Sequence, residues 1–180
     1  MFYHVIRRFQ TFSAALTMLT RQIDRSDPYV RGLLREDVIK LCKMFGERDY
    51  EIRLVGGCVR DMLSKKRAKD IDMSTTATPD QMVELFKANK LRYIETGLQH
   101  GTLTVHYNDV DYEITTLRID VETYGRAAKV RFTNDWKLDA LRRDLTFNAM
   151  SMDVDGNLYD YFGGENDLHD GKVRMIMNVY

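Results

Sequence analysis

Proline and cysteine are scarce in this chain, two of each among 180 residues, and glycine numbers only eleven. That scarcity excludes collagen-like and low-complexity architecture. Cys42 and Cys58 form no CxxC pair and no disulfide framework, and the four histidines (His4, His100, His106 and His169) have no zinc-ligand spacing. Small buried hydrophobes in a reducing compartment are the simplest reading of both cysteines. No apolar run is long enough to span a bilayer as a helix, so no membrane role is expected. Excess charge of either sign is missing too, with 27 Lys plus Arg against 27 Asp plus Glu. Taken alone, that balance argues against a simple basic nucleic-acid binder.

What the chain has is 44% apolar residues, enough for the core of one ordinary domain. Residues 1–23 stand apart: they carry Arg7, Arg8 and Arg21 and no acid. Phe2, Val5, Ile6, Phe9, Phe12, Leu16 and Leu19 fall within an arc of about 140° at helical spacing. A basic, acid-free amphipathic helix is what a mitochondrial targeting segment needs. Residues 24–32, broken at Pro28, read as a linker, and residues 33–180 as the globular part. There, Leu34, Val38, Leu41, Cys42 and Phe45 repeat as a helix face. Glu51 to Val55 reads as a strand running into Gly56-Gly57, followed by a brief helix from Val59 to Leu63 and a basic loop, Lys65 to Lys69. Asp70 to Ser74 alternates as a strand, and Thr78-Pro79 starts a helix. Strands are expected over Arg92 to Thr96, Thr102 to Tyr107 and Val110 to Thr116, the last two joined at Asn108-Asp109. Residues 118–135 are polar and poorly periodic, more like a mobile loop. A helix from Trp136 to Arg142 and strands over Asn148 to Val154 and Leu158 to Tyr161 complete the pattern.

Three clusters carry the chemistry. On a strand, Asp70 and Asp72 project to one face while Ile71 and Met73 point to a core. Alone, a D-x-D is usually a solvated strand edge, but two carboxylates at that spacing suit a magnesium ion with its hard oxygen ligands. Glu113, on the face opposite Val110, Tyr112 and Ile114, could complete a two-metal site. Gly56 and Gly57, at a strand end, let backbone N–H groups approach a phosphate, and Arg60 could reach the same oxygens with its planar fork. Neither a Walker loop nor a GxGxxG is present. The third cluster, Asp139 to Asn148, sets Arg142-Arg143 beside Asp144, a grip for a triphosphate and a ribose hydroxyl, or else a local ion-pair network. His169-Asp170 has no accompanying His/Asp cluster and reads as loop.

Together these segments resemble the tRNA nucleotidyltransferase (CCA-adding enzyme) and bacterial-type poly(A) polymerase family, within the polymerase-β-like nucleotidyltransferases. The matching stretches are Leu54-Val-Gly-Gly-Cys-Val-Arg-Asp61, Lys69-Asp-Ile-Asp-Met-Ser-Thr75, His100-Gly-Thr-Leu-Thr104, Glu113-Ile-Thr-Thr-Leu-Arg118 and Arg142-Arg-Asp-Leu-Thr-Phe-Asn-Ala149. The wording from Glu113 to Gly125 looks most like the eukaryotic enzymes that serve mitochondrial and cytosolic tRNA. The resemblance implies an α+β fold, a head with a mixed, mostly antiparallel sheet flanked by helices. It implies metal-binding catalytic roles for Asp70, Asp72 and Glu113, with Mg2+ as cofactor. It also implies triphosphate contact by Gly56, Gly57 and Arg60, and nucleotide and ribose contact by Arg143, Asp144 and Asn148. The stretch from about Asp120 to Asp135 corresponds to a flexible loop implicated in switching from CTP to ATP. The implied partners are CTP, ATP and the tRNA 3′ end, and the implied location is the mitochondrion, with cytosol or nucleus as the further alternatives.

The family's helical neck, body and tail are not matched by residues 1–180, so the resemblance implies a catalytic head without base selection or tRNA grip. Two other readings stay open: a poly(A) polymerase of the same family, and a catalytically idle nucleotide- or protein-binding module.

Overall fold

Alternating strands and amphipathic helices sort the side chains of this chain onto the two faces of one twisted sheet. The computed structural model describes residues 19–124 and 127–176. The elements run β1 (Leu19–Gln22), α1 (Pro28–Leu33), α2 (Glu36–Gly46), β2 (Ile52–Val55), α3 (Gly57–Leu63), β3 (Asp72–Thr75), α4 (Pro79–Ala88) and β4 (Arg92–Gly97). They continue with β5 (Thr102–Tyr107), β6 (Val110–Thr116), β7 (Arg118–Tyr124), β8 (Ala127–Phe132), α5 (Trp136–Leu141), β9 (Ser151–Met152), β10 (Asn157–Asp160) and α6 (Gly164–His169).

The sheet has eight strands in the order β1-β10-β9-β2-β3-β6-β5-β4. Every neighbouring pair is antiparallel except β3 with β6. The expected mixed, mostly antiparallel α+β architecture is therefore present. Leu54, Met73, Ile114, Leu103 and Met152 lie in register across one face and are buried. Against them pack Val38, Leu41, Cys42 and Phe45 of α2, Cys58, Val59 and Met62 of α3, and Met82, Leu85 and Phe86 of α4. The helices form because their apolar residues recur at helical spacing and their ends are capped. Thr78 and Gln81 make a reciprocal capping box at the start of α4, behind Pro79. On the opposite face a smaller cluster joins Val55, Leu117 and Trp136.

Tyr112, fully buried on β6, ties this strand to α2: its hydroxyl donates to Asp37 and accepts from Arg35 at 2.6 Å. Burial first, then the bond to Asp37, pushes the phenol up to about 12. The hairpin at Asn108-Asp109 has positive φ at both residues, 50° and 60°, as a tight turn matching the strand twist requires.

Several expectations are corrected. The stretch 24–32 is not a plain linker: Asp27 accepts from the Tyr29 N–H, Pro28 occupies the first turn, and Val30 of α1 lies in the core. Pro28 starts a helix here because its missing N–H would have no partner in the first turn anyway. Residues 118–135 are not a bare loop but an antiparallel ribbon, β7 with β8, followed by α5, whose start Asp135 caps. A register shift between Asp120 and Glu122 interrupts the alternation, and the ribbon stands outside the main sheet. β3 begins at Asp72, leaving Asp70 in the bend before it. The strand expected over Asn148 to Val154 shrinks to Ser151–Met152, because Thr146–Asn148 turns as a short 3-10 helix. The amphipathic helix proposed for the first segment lies mostly in residues 1–18, outside the described residues. Leu19–Gln22, at its end, is an edge strand on β10.

The 3-10 turn is held from behind. Asp160 accepts from the N–H groups of Gly163 at 2.9 Å and of Gly164 and Glu165 at 3.0 Å, and the Thr146 hydroxyl donates to Asp167 at 2.5 Å. A Cβ on Gly164 would stand 2.3 Å from the Thr146 carbonyl oxygen, with backbone rather than a yielding side chain in the way. Gly164→Ala is therefore expected to destabilise the chain by about 1–3 kcal/mol in urea unfolding. An unchanged midpoint would contradict this close approach.

Candidate active site

At the end of β2 the backbone must turn sharply, and Gly56 does so at φ +69°, ψ −126°, a conformation essentially reserved for glycine. A Cβ there would stand 3.1 Å from Nη1 of Arg143. Gly57 opens α3, and Arg60, one turn on, donates from Nη1 to Oδ1 of Asn148 at 2.9 Å. The rest of the Arg60 fork grips Asp61, from Nε at 2.9 Å and Nη2 at 2.8 Å. Arg143 donates to the Asn148 carbonyl at 3.3 Å and to Asp139 at 3.4 Å. Asp144 accepts the Leu145 N–H at 2.7 Å and a long contact from the Asn148 amide at 3.5 Å. The glycine turn and the Arg-Arg-Asp segment, far apart in sequence, thus form one polar surface.

The carboxylates come from the neighbouring strands. In the parallel pair, Asp72 is directly in register with Glu113, and Met73 with Ile114. Since Met73 and Ile114 point into the core, Asp72 and Glu113 stand on the other face. Burial, reinforced by the Asp70 carboxylate, pushes the Asp72 carboxyl above its ordinary range, while Arg143 pulls it back. Burial likewise lowers the Arg143 guanidinium, against the pull of Asp139 and Asp72. The acidic and the arginine-bearing halves therefore meet at Asp72 and Arg143.

Asp70, Asp72, Gly56, Arg60, Arg143, Asp144 and Asn148 are brought together. Glu113 is a strand neighbour of Asp72, but among the described residues no three His, Cys, Asp or Glu side chains gather as one ligand set. Glu113 is on the neighbouring strand, as expected, while the pairing of Asp70 with Asp72 on one strand face is corrected. Asp70 sits in a bend rather than on β3, still near enough for its charge to act on Asp72. Among the described residues, none of the three carboxylates takes a side-chain ion pair, as the salt bridges elsewhere do. Such hard oxygen donors suit a divalent cation.

The local ion-pair network offered as one reading of the third cluster is present, and a second feature, the Arg53 stack, escaped sequence reasoning. Asp139, almost wholly buried, holds Arg142 (Nε at 2.9 Å), Arg143 and the Arg118 N–H at 3.1 Å. Its i, i+3, i+4 spacing to the two arginines was the available signal. Arg53 lies between the rings of Trp136 (4.0 Å to the centroid) and Tyr159 (3.6 Å), a stack that joins three distant segments and has no local signature.

Residues 52–174 match the model of the poly A polymerase head domain. The chain belongs to that family. Among the relatives of this head domain, the human CCA tRNA nucleotidyltransferase 1, mitochondrial, is 47% identical over 83% of the chain and 35% of its own length. The zebrafish (Danio rerio) protein of the same name is 44% identical over 88% of the chain and 37% of its own length. The chain thus spans about a third of the curated relatives it matches. The Bacillus stearothermophilus CCA-adding enzyme, solved in complex with CTP, is similar in structure, with a TM-score of 0.70 at 29% identity over 83% of this head and 34% of that chain.

The Asp72 environment makes a stability prediction. At neutral pH its carboxylate is ionised in both folded and unfolded chains, and the raised folded pKa means that ionisation weakens the fold. Asp72→Asn is expected to raise the melting temperature by about 2 °C at pH 7. That gain should shrink as pH falls through the folded pKa and vanish below the ordinary value of 3.8, where both states are protonated. A lowered melting temperature at pH 7 would show that Asp72 is held by attraction instead.

Proposed function

We propose that this chain is the catalytic head of a template-independent RNA nucleotidyltransferase that adds C, C and A to the 3′ end of tRNA from CTP and ATP, releasing pyrophosphate. The observation that carries the reading is the meeting of Asp72, Asp70 and the strand neighbour Glu113 with Arg143, Arg60 and the glycine turn. Carboxylates beside phosphate-gripping forks are the parts a phosphoryl transfer needs. The tRNA and CTP of the relatives' names support the substrates.

Asp70, Asp72 and Glu113 would hold magnesium, since all their donors are hard oxygens. When bound, two such ions supply a lowered pKa for the RNA 3′-hydroxyl and neutralise charge on the leaving pyrophosphate. Gly56 and Gly57 let the chain approach the triphosphate without side-chain obstruction. Arg60 and Arg143 offer planar donor forks to its oxygens, and both are already oriented, by Asp61 with Asn148 and by Asp139. Asp144 and Asn148, joined at their side chains, offer acceptor and donor to a ribose hydroxyl.

In a protein carrying this head with its downstream tRNA-holding part, Asp72→Asn and Asp70→Asn are each expected to cut CMP and AMP incorporation into tRNA by about a thousandfold or more. Chelation of divalent cations should do the same. Near-normal turnover by Asp72→Asn would remove the site assignment. The family model's own description favours one other reading, a poly(A) polymerase. Sequencing the product made with CTP and ATP together separates them: a single CCA supports the proposal, and an A tract supports the alternative.

A mitochondrial location is proposed from the acid-free first 23 residues and from the two relatives named as mitochondrial. Because Leu19–Gln22 is β1 and Ile23 is in the core, a removable leader would end before Leu19. Residues 1–18 fused to a fluorescent protein should then reach mitochondria, and a diffuse cytosolic signal would overturn this.

A further inference from the structure

A concavity of about 840 Å3 lies beside Asp70, between α1, the basic loop after α3 and the tip of the β5–β6 hairpin. Its wall includes Tyr29, Lys66, Arg67, Lys69 and, at the end nearest the candidate centre, Asp70. The loop is held in place from several sides. Lys65 pairs with Asp27 and lies 5.9 Å from the Tyr29 ring centroid, and the Lys66 N–H donates to the Asp61 carbonyl at 2.8 Å. Ala68 and Ile71 pack on the core. This anchoring presents Lys66, Arg67 and Lys69 to solvent, and none of the three has an ion-pair partner among the described residues.

Among the described residues the acids at the rim make no ion pair with them. Asp109 and Asp111 are on the hairpin tip, where Asp111 is taken by His106 at 2.7 Å and Asp109 stands next to the same ring. Arg35, also on the wall, is committed to Asp37 and Tyr112. Other described cations also lack an ion pair, Lys43 and Lys87 among them, but Lys66, Arg67 and Lys69 fall within four residues of one loop and line one cleft. Residues 66–68 carry no regular secondary structure and Lys69 enters a bend; four residues reach at most about 10 Å, enough for more than one phosphate of a nucleic-acid strand.

We propose that this cleft binds the phosphate backbone of the single-stranded 3′ segment of the RNA, upstream of the terminal nucleotide. The loop leads into Asp70 and Asp72 in sequence and in space, so a strand ending at the carboxylates would have its preceding phosphates along Lys69, Arg67 and Lys66. This direction of the strand rests on the proposed function; the binding itself does not.

Nucleotide-free binding of a short labelled single-stranded RNA to the whole chain, followed by anisotropy over a range of KCl, tests it. Lys66→Ala/Arg67→Ala/Lys69→Ala is expected to weaken binding about tenfold or more and to flatten the log K against log [KCl] slope by about 2, as losing three phosphate contacts requires. Lys66→Gln/Lys69→Gln should give about two-thirds of that flattening. A control of equal charge loss on exposed helix positions, Lys40→Gln/Lys43→Gln/Lys87→Gln, should leave affinity within about twofold. An equal loss in the control, an unchanged slope in the loop variants, or no RNA binding by the unaltered chain at low salt overturns the proposal. So does polyglutamate competing as well as RNA per unit charge, which would point to an acidic protein partner. Failure of the centre itself shows separately, as turnover by Asp72→Asn, and leaves these binding results standing.

Discussion

One parallel strand pair organises this head. β3 and β6 run side by side in a sheet whose other neighbours are all antiparallel, and they are connected through α4, β4 and β5. A parallel pair needs such a crossover, and the crossover buries one face of both strands beneath helices. With Met73 and Ile114 fixed inward, Asp72 and Glu113 have no choice but to stand together outside. A slip of one residue in that register would put a carboxylate into the core and a methionine into the site. The core therefore enforces the juxtaposition of like charges that the chemistry needs. The Tyr112 hydroxyl, locked to Asp37 and Arg35, pins β6 further along the same strand.

Asp139 organises the opposite side in a comparable way. Buried and surrounded by donors, it collects Arg142, Arg143 and the first N–H of β7. A buried carboxylate is tolerable only with such partners. Their mutual satisfaction orients Arg143 toward the glycine turn and joins the base of the ribbon to the polar surface there. Ribbon and arginines are thus two parts of one hydrogen-bonded unit. A change in the ribbon's position would be felt at Arg143 through a single carboxylate rather than through a long chain of contacts.

The polar motifs were legible in the sequence because their spacing is local. Gly56-Gly57 with Arg60, Asp70 with Asp72, and Arg143 to Asn148 each fit within a turn or a strand, and strand parity correctly put Glu113 opposite Ile114. The α2 and α4 faces and the Asn108-Asp109 hairpin were legible for the same reason. What periodicity could not supply was tertiary. The ribbon reads as a loop because its alternation is interrupted and it has little core to bury; Val121 is 52% exposed. Pro28 reads as a break because a proline that ends one segment and a proline that starts a helix look alike until Asp27 is seen to cap it. Asp70 was placed on the strand because alternation cannot mark where hydrogen bonding begins. The Arg53 stack and the bond from the Arg118 N–H to Asp139 depend on distant segments meeting, which spacing alone does not encode.

Charge segregation completes the argument. The 27 basic and 27 acidic groups cancel only in the sum. Around the candidate centre they are sorted: among the described residues Asp70, Asp72 and Glu113 are without ion pairs, arginine forks lie across from them, and Lys66, Arg67 and Lys69 on the adjoining loop are unpaired. Left alone, the carboxylates repel one another, and the raised Asp72 shows the folded chain resisting their ionisation. A divalent cation relieves that side, while a polyanion relieves the basic one. A metal-bound triphosphate meeting the end of a phosphodiester strand, the proposed occupant, satisfies both requirements at once.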